Sequence, residues 1–114
     1  MFDVRFLQNP YDVPKLRPLS GFDQPVRDYV LGQDDALAIA ERIEDWIRFQ
    51  VPRSMREGRS YLTVAIGCTG GQHRSVALVR ELERRLSQGP PLSDPPAVLG
   101  TSHRDVQRSG LDGA

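Results

Sequence analysis

The residues best suited to chemistry are concentrated between positions 67 and 75, where the sequence reads Gly-Cys-Thr-Gly-Gly-Gln-His-Arg-Ser. The adjacent Gly70 and Gly71 permit the backbone angles that turn successive N–H groups inward, which creates a nest for an anion. A helix that begins near His73 would add unpaired N–H groups and the positive end of its dipole. The side chains supply hydroxyl, imidazole and guanidinium groups: Thr69, His73, Arg74 and Ser75. The segment therefore predicts a site for a phosphate or a phosphosugar. A tight strand-to-helix turn would explain the glycines but not the polar residues around them.

Two catalytic interpretations of the same segment are weaker. A Walker A loop needs a lysine after its last glycine to reach the outer phosphates of a nucleotide, but Gln72 and His73 occupy that place. A cysteine-dependent phosphatase would fit the spacing from Cys68 to Arg74, because a helix N-terminus and a guanidinium stabilise a thiolate nucleophile. Against it, Gly67 replaces the usual histidine before the cysteine, and no aspartate is identifiable as the general acid. The residues thus favour binding over catalysis, and no residue is assigned a catalytic role.

Metal binding is disfavoured by the spacing of the candidate ligands. Cys68, His73 and His103 match no established zinc signature, and a fourth ligand is not evident. We therefore expect neither a metal ion nor another cofactor.

Length and composition indicate the class of protein. The chain has 114 residues, 15 basic against 15 acidic side chains and 39% hydrophobic residues, which is typical of one small globular domain. We expect that domain to occupy residues 1–108 and residues 109–114 to form a disordered tail. The single cysteine excludes an internal disulfide, and no apolar run approaches the roughly 18 residues of a membrane span, so a cytoplasmic location is expected. The balanced charge argues against nucleic-acid binding by a bulk electrostatic field.

The strands and loops that position this segment follow from hydrophobic patterning and from proline placement. Alternating polar and apolar residues predict a short strand over residues 3–7, and a nearly continuous apolar run predicts a central strand over residues 60–67. Repeated prolines predict a long and mostly irregular loop over residues 10–32. A final strand is predicted over residues 97–103.

Two helices are predicted between these strands. The first begins with Asp34 or Asp35 as its cap, and Pro52 and Gly58 are expected to kink or end it. The second runs over residues 73–87. The apolar positions expected on the buried faces are Leu37, Ala40, Ile43, Ile47 and Val51 in the first helix, and Val76, Val79, Leu82 and Leu86 in the second. The charged residues of the second helix are expected mostly outside: Arg80, Glu81, Glu83, Arg84 and Arg85.

The order strand, helix, strand, helix, strand predicts an α/β fold, in the form of a small three-layer domain with a mostly parallel sheet flanked by helices. Ligands in such folds bind beyond the carboxyl ends of the strands. That rule places the site after Leu7, after Ile66 and around His103.

Several segments together resemble a known family, the C-terminal domain of the RNase adapter protein RapZ. These segments are residues 3–7, Asn9-Pro10, residues 16–18, residues 60–71, residues 73–75 and His103-Arg104. The resemblance covers almost the whole chain. It implies a fold like a sugar-phosphate-binding subdomain of phosphofructokinase. It also implies that full-length members carry an N-terminal P-loop domain, which these residues do not include.

The resemblance implies a regulatory function. Members of the family sense glucosamine-6-phosphate, bind small regulatory RNAs and present them to an endoribonuclease in the control of amino-sugar synthesis. We therefore expect a non-catalytic sensor of a phosphorylated amino sugar or a sugar nucleotide, which acts as a homo-oligomer on a protein or RNA partner. An RNA-binding adapter and a cysteine-dependent phosphatase are the alternatives.

The resemblance also assigns site residues by position. The implied phosphosugar site comprises Asp3, Arg5, Ser60, Cys68, Thr69, Gly70, Gly71, His73 and Arg74. Ser75 joins this set from the loop itself, and Tyr11 stands where some members have a histidine.

For RNA, Lys15 and Arg17 match basic positions of the RNA-binding members. Gln72 replaces a lysine seen in those members, and the residues after Arg108 lack their terminal basic cluster. Each lost phosphate contact weakens a salt-dependent affinity, so the sequence favours metabolite sensing over RNA delivery.

Overall fold

The structure is a computed structural model that describes residues 1–59, 61–69, 71–93, 97 and 99–103. Ser60, Gly70 and the predicted tail at residues 109–114 lie outside the described residues. In chain order the elements are strand β1 (Phe2–Asp3), a 3-10 turn η1 (Pro10–Asp12), helix α1 (Gln24–Leu31), helix α2 (Asp34–Arg56), strand β2 (Ile66–Gly67) and helix α3 (Arg74–Gln88).

The prediction of an irregular loop over residues 10–32 is wrong at its end, where α1 forms. Pro25, one of the prolines that predicted the loop, lies in the first turn of α1, where its missing N–H would have no partner within the helix. Val26 and Val30, one turn apart, are both fully buried. The short amphipathic segment that follows this proline is thus helical because its apolar side packs in the core.

Helix α2 has its N-cap one residue before the predicted cap and ends, as predicted, just before Gly58. Gln33 is its N-cap, so Asp34 and Asp35 stand in the first turn, where carboxylates favour the positive end of the helix dipole. The helix continues through Pro52 to Arg56. The buried face predicted for α2 is confirmed except at Leu37, which is 43% exposed. The end near Gly58 is also confirmed, since this glycine has a φ of 84°.

Helix α3 follows the prediction closely. It starts one residue after His73, and Val76, Leu82 and Leu86 are buried as expected. Glu81 was expected outside but is only 8% exposed. Its burial is tolerated because Arg84 and Arg85 both bind its carboxylate.

The two strands pair in parallel, with Phe2 opposite Ile66 and Asp3 opposite Gly67. Both predicted strands are therefore longer than the paired ladder. Beyond Asp3 the chain turns, since the N–H of Leu7 donates to the carbonyl of Val4 at 3.1 Å. The predicted final strand is not formed by residue 97 or by residues 99–103; Val98 is outside the described residues. The α/β class with a parallel sheet is confirmed, and the sheet has two strands in the described part of the chain.

The core consists of two groups of buried side chains that meet at Ile39 and Ile66. One lies among β1, α1 and α3 and includes Val4, Leu7, Val26, Val30 and Leu78. The other lies between α2 and α3 and includes Ile43, Ile47, Val51, Leu82 and Leu86. The first turns of α3 therefore pack against the first group. None of the helices in the described residues combines the length and apolar character needed to cross a membrane.

Candidate ligand-binding site

The loop between β2 and α3 leads directly from the carboxyl end of a parallel strand to the start of a helix. Gly71 has a φ of 64°, a left-handed conformation that glycine adopts at little cost. The Sγ of Cys68 accepts a hydrogen bond from the N–H of Ser75 at 3.3 Å. The thiol therefore faces the first turn of α3, where it occupies one of the N–H groups that an anion would also seek.

Residues 19–21 bind the loop between β2 and α3 through two hydrogen bonds. The N–H of Gly21 donates to the carbonyl of Gln72 at 2.9 Å, and Nε2 of Gln72 donates to the carbonyl of Leu19 at 2.9 Å. A Cβ atom at Gly21 would lie 2.6 Å from both the amide nitrogen of Ala77 and the Cβ of Val76. Sequence reasoning missed this anchor; the signal was an isolated glycine, which often marks a close approach of two backbones.

Arg74 is the most unusual residue of the site, because it is a cation that is only 4% exposed. Its Nη1 donates to the carbonyl of Arg5 at 2.8 Å and to that of Leu7 at 3.0 Å. Its Nε is buried without a hydrogen-bond partner. Within the described residues, no carboxylate oxygen lies within 4.0 Å of its guanidinium nitrogens.

His73, the N-cap residue of α3, is similarly placed. It is 6% exposed, and its Nε2 is buried with no hydrogen-bond partner in the described part of the chain. Most buried polar side-chain atoms in proteins are hydrogen-bonded. Two consecutive residues that break this rule at the start of a helix mark the place where a ligand would satisfy them.

Asp3 and Arg5 form an exposed ion pair at the end of β1. The Nη2 of Arg5 lies 2.7 Å from Oδ2 of Asp3, and the backbone N–H of Arg5 donates to Oδ1 at 2.9 Å. These hydrogen bonds from Arg5 lower the pKa of Asp3, and the charge of Arg74 lowers it further. The lowered pKa favours the ionised carboxylate of Asp3, mainly through its bonds with Arg5.

The predicted site residues fall into two groups. Direct contacts join Arg5 to Asp3 and Arg74, and Cys68 to Ser75, while Thr69, Gly71 and His73 lie on the same loop. The other group is Tyr11 with Arg17: the guanidinium lies 4.6 Å from the ring centroid, and its Nε donates to the Tyr11 carbonyl at 2.7 Å. Lys15 is exposed nearby in sequence. Ser60 and Gly70 are outside the described residues.

A larger cavity of about 630 Å³ lies away from these residues, between α2, α3 and the chain before β2. Aliphatic side chains such as Ile47, Val51 and Leu86 line much of it. It includes none of the predicted ligand residues that the structure describes. Because a phosphate needs convergent polar donors, the loop suits an anion better than this cavity does. No group of three or more His, Cys, Asp or Glu residues in the described chain is arranged to hold a metal ion.

Comparison with known proteins identifies the family. A family model described as the RapZ C-terminal domain matches residues 1–107. The chain belongs to the RapZ C-terminal domain family. The match to RapZ C-terminal domains includes every predicted ligand residue, together with Lys15 and Arg17.

Curated relatives of this RapZ C-terminal domain carry the name nucleotide-binding protein. The protein from Anaeromyxobacter sp. (strain K) is 52% identical over 108 residues, which cover 95% of this chain and 35% of the relative. That from Sorangium cellulosum is 50% identical over 113 residues, 99% of this chain and 31% of the relative. That from Geobacter metallireducens is 45% identical, with 95% and 36% covered. The chain thus spans about a third of the length of these relatives.

Proposed function

We propose that this RapZ C-terminal domain is a non-catalytic sensor that binds a phosphorylated amino sugar or a sugar nucleotide and regulates amino-sugar metabolism. The observation that carries the proposal is the buried guanidinium of Arg74, which has no carboxylate partner among the described residues. A buried charge is costly unless an opposite charge and hydrogen bonds compensate it. Two carbonyl groups provide hydrogen bonds but no negative charge, so a bound anion is the natural complement.

The groups around Arg74 favour a phosphate as that anion. The start of α3 contributes the positive end of a helix dipole, and the left-handed Gly71 shapes the backbone beside it. The unpartnered Nε of Arg74 and Nε2 of His73 are available for phosphate oxygens. A doubly charged oxyanion would satisfy both side chains at once.

The exposed carboxylate of Asp3 at the edge of the site favours a ligand that also carries a positive group. Asp3 is half exposed, and its lowered pKa keeps its carboxylate ionised. The carboxylate of Asp3 is paired with Arg5 but stays half exposed, so it can still accept a hydrogen bond from an ammonium or hydroxyl group of an amino sugar while the phosphate occupies the loop. An acceptor beside the basic loop therefore suits an amino-sugar phosphate better than inorganic phosphate.

Calorimetric titration tests this proposal with ligands that differ by one group. Glucosamine-6-phosphate is compared with glucosamine, glucose-6-phosphate, a nucleotide sugar and inorganic phosphate. We expect Arg74→Gln to weaken binding of the phosphorylated ligands by at least about tenfold, because a charge-assisted hydrogen bond is lost. Arg42→Gln is the matched control, since Arg42 is exposed on α2. Equal affinity of wild type and Arg74→Gln would overturn the proposal.

The phosphatase alternative is tested separately. The Sγ of Cys68 accepts a hydrogen bond from the N–H of Ser75, which supports a structural role for the thiol. We expect no difference in phosphomonoester hydrolysis between wild type and Cys68→Ser. Turnover that disappears with the thiol would instead identify a cysteine-dependent phosphatase.

An RNA-binding adapter role is a second candidate, favoured by an exposed basic and aromatic surface. Phe6 is 58% and Tyr11 53% exposed, Arg17 lies over the Tyr11 ring, and Lys15 is exposed two residues before Arg17 in the chain. Exposed aromatic rings with neighbouring cations are typical of surfaces that bind single-stranded RNA. This role predicts that structured RNA is retained at physiological salt and lost in a Lys15→Ala/Arg17→Ala variant; no retention by wild type would exclude it.

A further inference from the structure

A second basic pocket lies between α1 and α3, separate from the β2–α3 loop. Its volume is about 250 Å³, smaller than the sites that hold drug-sized ligands. Residues from the two helices line it: Arg27 and Leu31 from α1, and Arg80, Glu81, Arg84 and Ser87 from α3. Arg80 comes six residues after Arg74, which is roughly 9 Å further along the helix axis.

The buried carboxylate in this pocket is already engaged. Oε2 of Glu81 lies 2.6 Å from Nη2 of Arg84 and 2.7 Å from Nε of Arg85, and its Oε1 accepts from Nε of Arg84 at 3.0 Å. Arg84 is therefore neutralised within the pocket, and Glu81 has no remaining charge to offer another cation.

Two further arginines on the pocket wall have no such partner. Within the described chain, no carboxylate oxygen lies within 4.0 Å of Arg27 or Arg80. Among the described residues, the buried Nε of Arg27 has no hydrogen-bond partner, while its Nη2 binds the side chain of Gln24. Nη1 of Arg80 donates to the carbonyl of Phe22 at 3.3 Å, and the described part of the chain offers its guanidinium no further hydrogen bond.

Both of these guanidinium groups are held in position before any ligand binds. Arg80 lies over the ring of Phe22, 5.2 Å from its centroid, and Gln24 holds Arg27. The lining contains three arginines against two glutamates, and one of these glutamates, Glu83, is exposed to solvent and screened. The pocket thus presents fixed, unsatisfied donors and an excess of positive charge from two facing helices.

We propose that the pocket between α1 and α3 is a second oxyanion site, in which Arg27 and Arg80 bind a phosphate ion or the phosphate group of a small monoester. Guanidinium groups that approach from two directions match the tetrahedral oxygens of phosphate. The site is independent of Arg74, so it stands whether or not the loop binds a sugar phosphate.

Backbone amide NMR of the whole chain tests the proposal, because it reports the two sites separately. The protein is titrated with inorganic phosphate, with glucosamine-6-phosphate and with acetate, each at constant ionic strength set by sodium chloride. We expect saturable shifts of the amide signals of Leu31, Arg84 and Ser87 with phosphate. The affinities measured with inorganic phosphate and with glucosamine-6-phosphate show whether the pocket prefers a free ion or a monoester. Shifts confined to residues 67–75, or shifts with acetate as large as those with phosphate, would overturn the proposal.

Variants connect the shifts to the two arginines. Arg27→Gln and Arg80→Gln should each weaken phosphate binding at the pocket by about tenfold, while Arg42→Gln on α2 should leave it unchanged. Arg27→Lys keeps the positive charge and should restore part of the affinity, which also guards against a variant that loses its fold. Unchanged pocket affinity in folded Arg27→Gln and Arg80→Gln proteins would contradict the assignment.

Discussion

Two arginines of the same helix show how differently this protein uses the same side chain. Arg85 is about a fifth exposed and ties α2 to α3, with Nε 2.7 Å from Glu81 and Nη1 3.4 Å from Glu44. Arg74 is more deeply buried, yet its described partners are only two carbonyl groups. The cation that is better shielded from water is the one with less compensating charge. The comparison shows that Arg85 belongs to the ion-pair network between α2 and α3, whereas Arg74 has the unbalanced charge on which the proposed anion site rests.

The largest expected effect on stability comes from the packing of Gly21 against α3. It tests whether this packing, and not the charge of Arg74, supports the loop. In Gly21→Ala the new methyl group would meet backbone atoms of α3 at 2.6 to 2.8 Å, which the helix cannot easily yield. We expect the free energy of unfolding to fall by about 3 kcal/mol, as overpacked cores do. Denaturant unfolding measures it, with Gly100→Ala as the control because nothing lies within 4 Å of its added atom. Equal stability of both variants would contradict the close packing of Gly21.

The next effect tests the ion pairs that Arg85 makes in the comparison with Arg74. Glu81→Gln leaves Arg84 and Arg85 without their shared carboxylate but keeps the shape of the side chain. We expect a loss of about 2 kcal/mol, at the lower end for a broken buried pair because Arg84 is half exposed. The exposed Glu83→Gln should change stability by less than about 0.5 kcal/mol. A similar small change for both variants would show that the pair is not structural.

The pH dependence of stability provides a third test of the same network. Hydrogen bonds from Arg84, and then from Arg85, lower the pKa of Glu81 below the ordinary value for a glutamate, despite the opposing effect of burial. A depressed carboxyl pKa contributes stability that is present above the unfolded-state pKa and is lost as the pH falls through the folded-state pKa. The melting temperature of wild type should therefore fall as the pH drops below about 4.5, and that of Glu81→Gln should fall less. Parallel profiles of the two proteins would contradict this linkage.

The smallest effect concerns Arg74 in the absence of ligand. Arg74→Gln removes hydrogen bonds to Arg5 and Leu7 but also removes an uncompensated buried charge, so we expect a change in stability below about 1 kcal/mol. The two proteins should separate only when ligand is added: at a hundredfold excess over Kd, wild type gains about 2.7 kcal/mol and the variant much less. A large loss without ligand would place Arg74 in the scaffold beside Arg85.

The sequence predicted the long elements well because their burial repeats regularly. Helix α3 and most of the inner face of α2 follow from apolar residues every three to four positions, a signal that survives local exceptions. Helix α1 was missed because a proline inside a short segment looks the same at the start of a helix as in a loop. The strands were overestimated because alternation reports which side chains could face a core but not how many residues find a partner strand.

The sequence indicated a candidate site, but it could not indicate how the structure surrounds the residues of that site. The glycines and the strand-to-helix position indicated the loop between β2 and α3 without any knowledge of packing. The burial of Arg74 depends instead on the carbonyls of Arg5 and Leu7, which are more than 60 positions away in the chain. The anchor at Gly21 depends on backbone contact with α3, and no local pattern encodes that contact.

The bonds that fasten Gln72 to residues 19–21 have a consequence for how the protein folds. They close a span of 53 positions, and such non-local closures form slowly because their entropic cost precedes their stabilisation. A fragment that contains only β2 and α3 would have the right residues but no support for the loop. The proposed binding of a ligand at this loop would therefore require residues 19–21 to have packed against the start of α3.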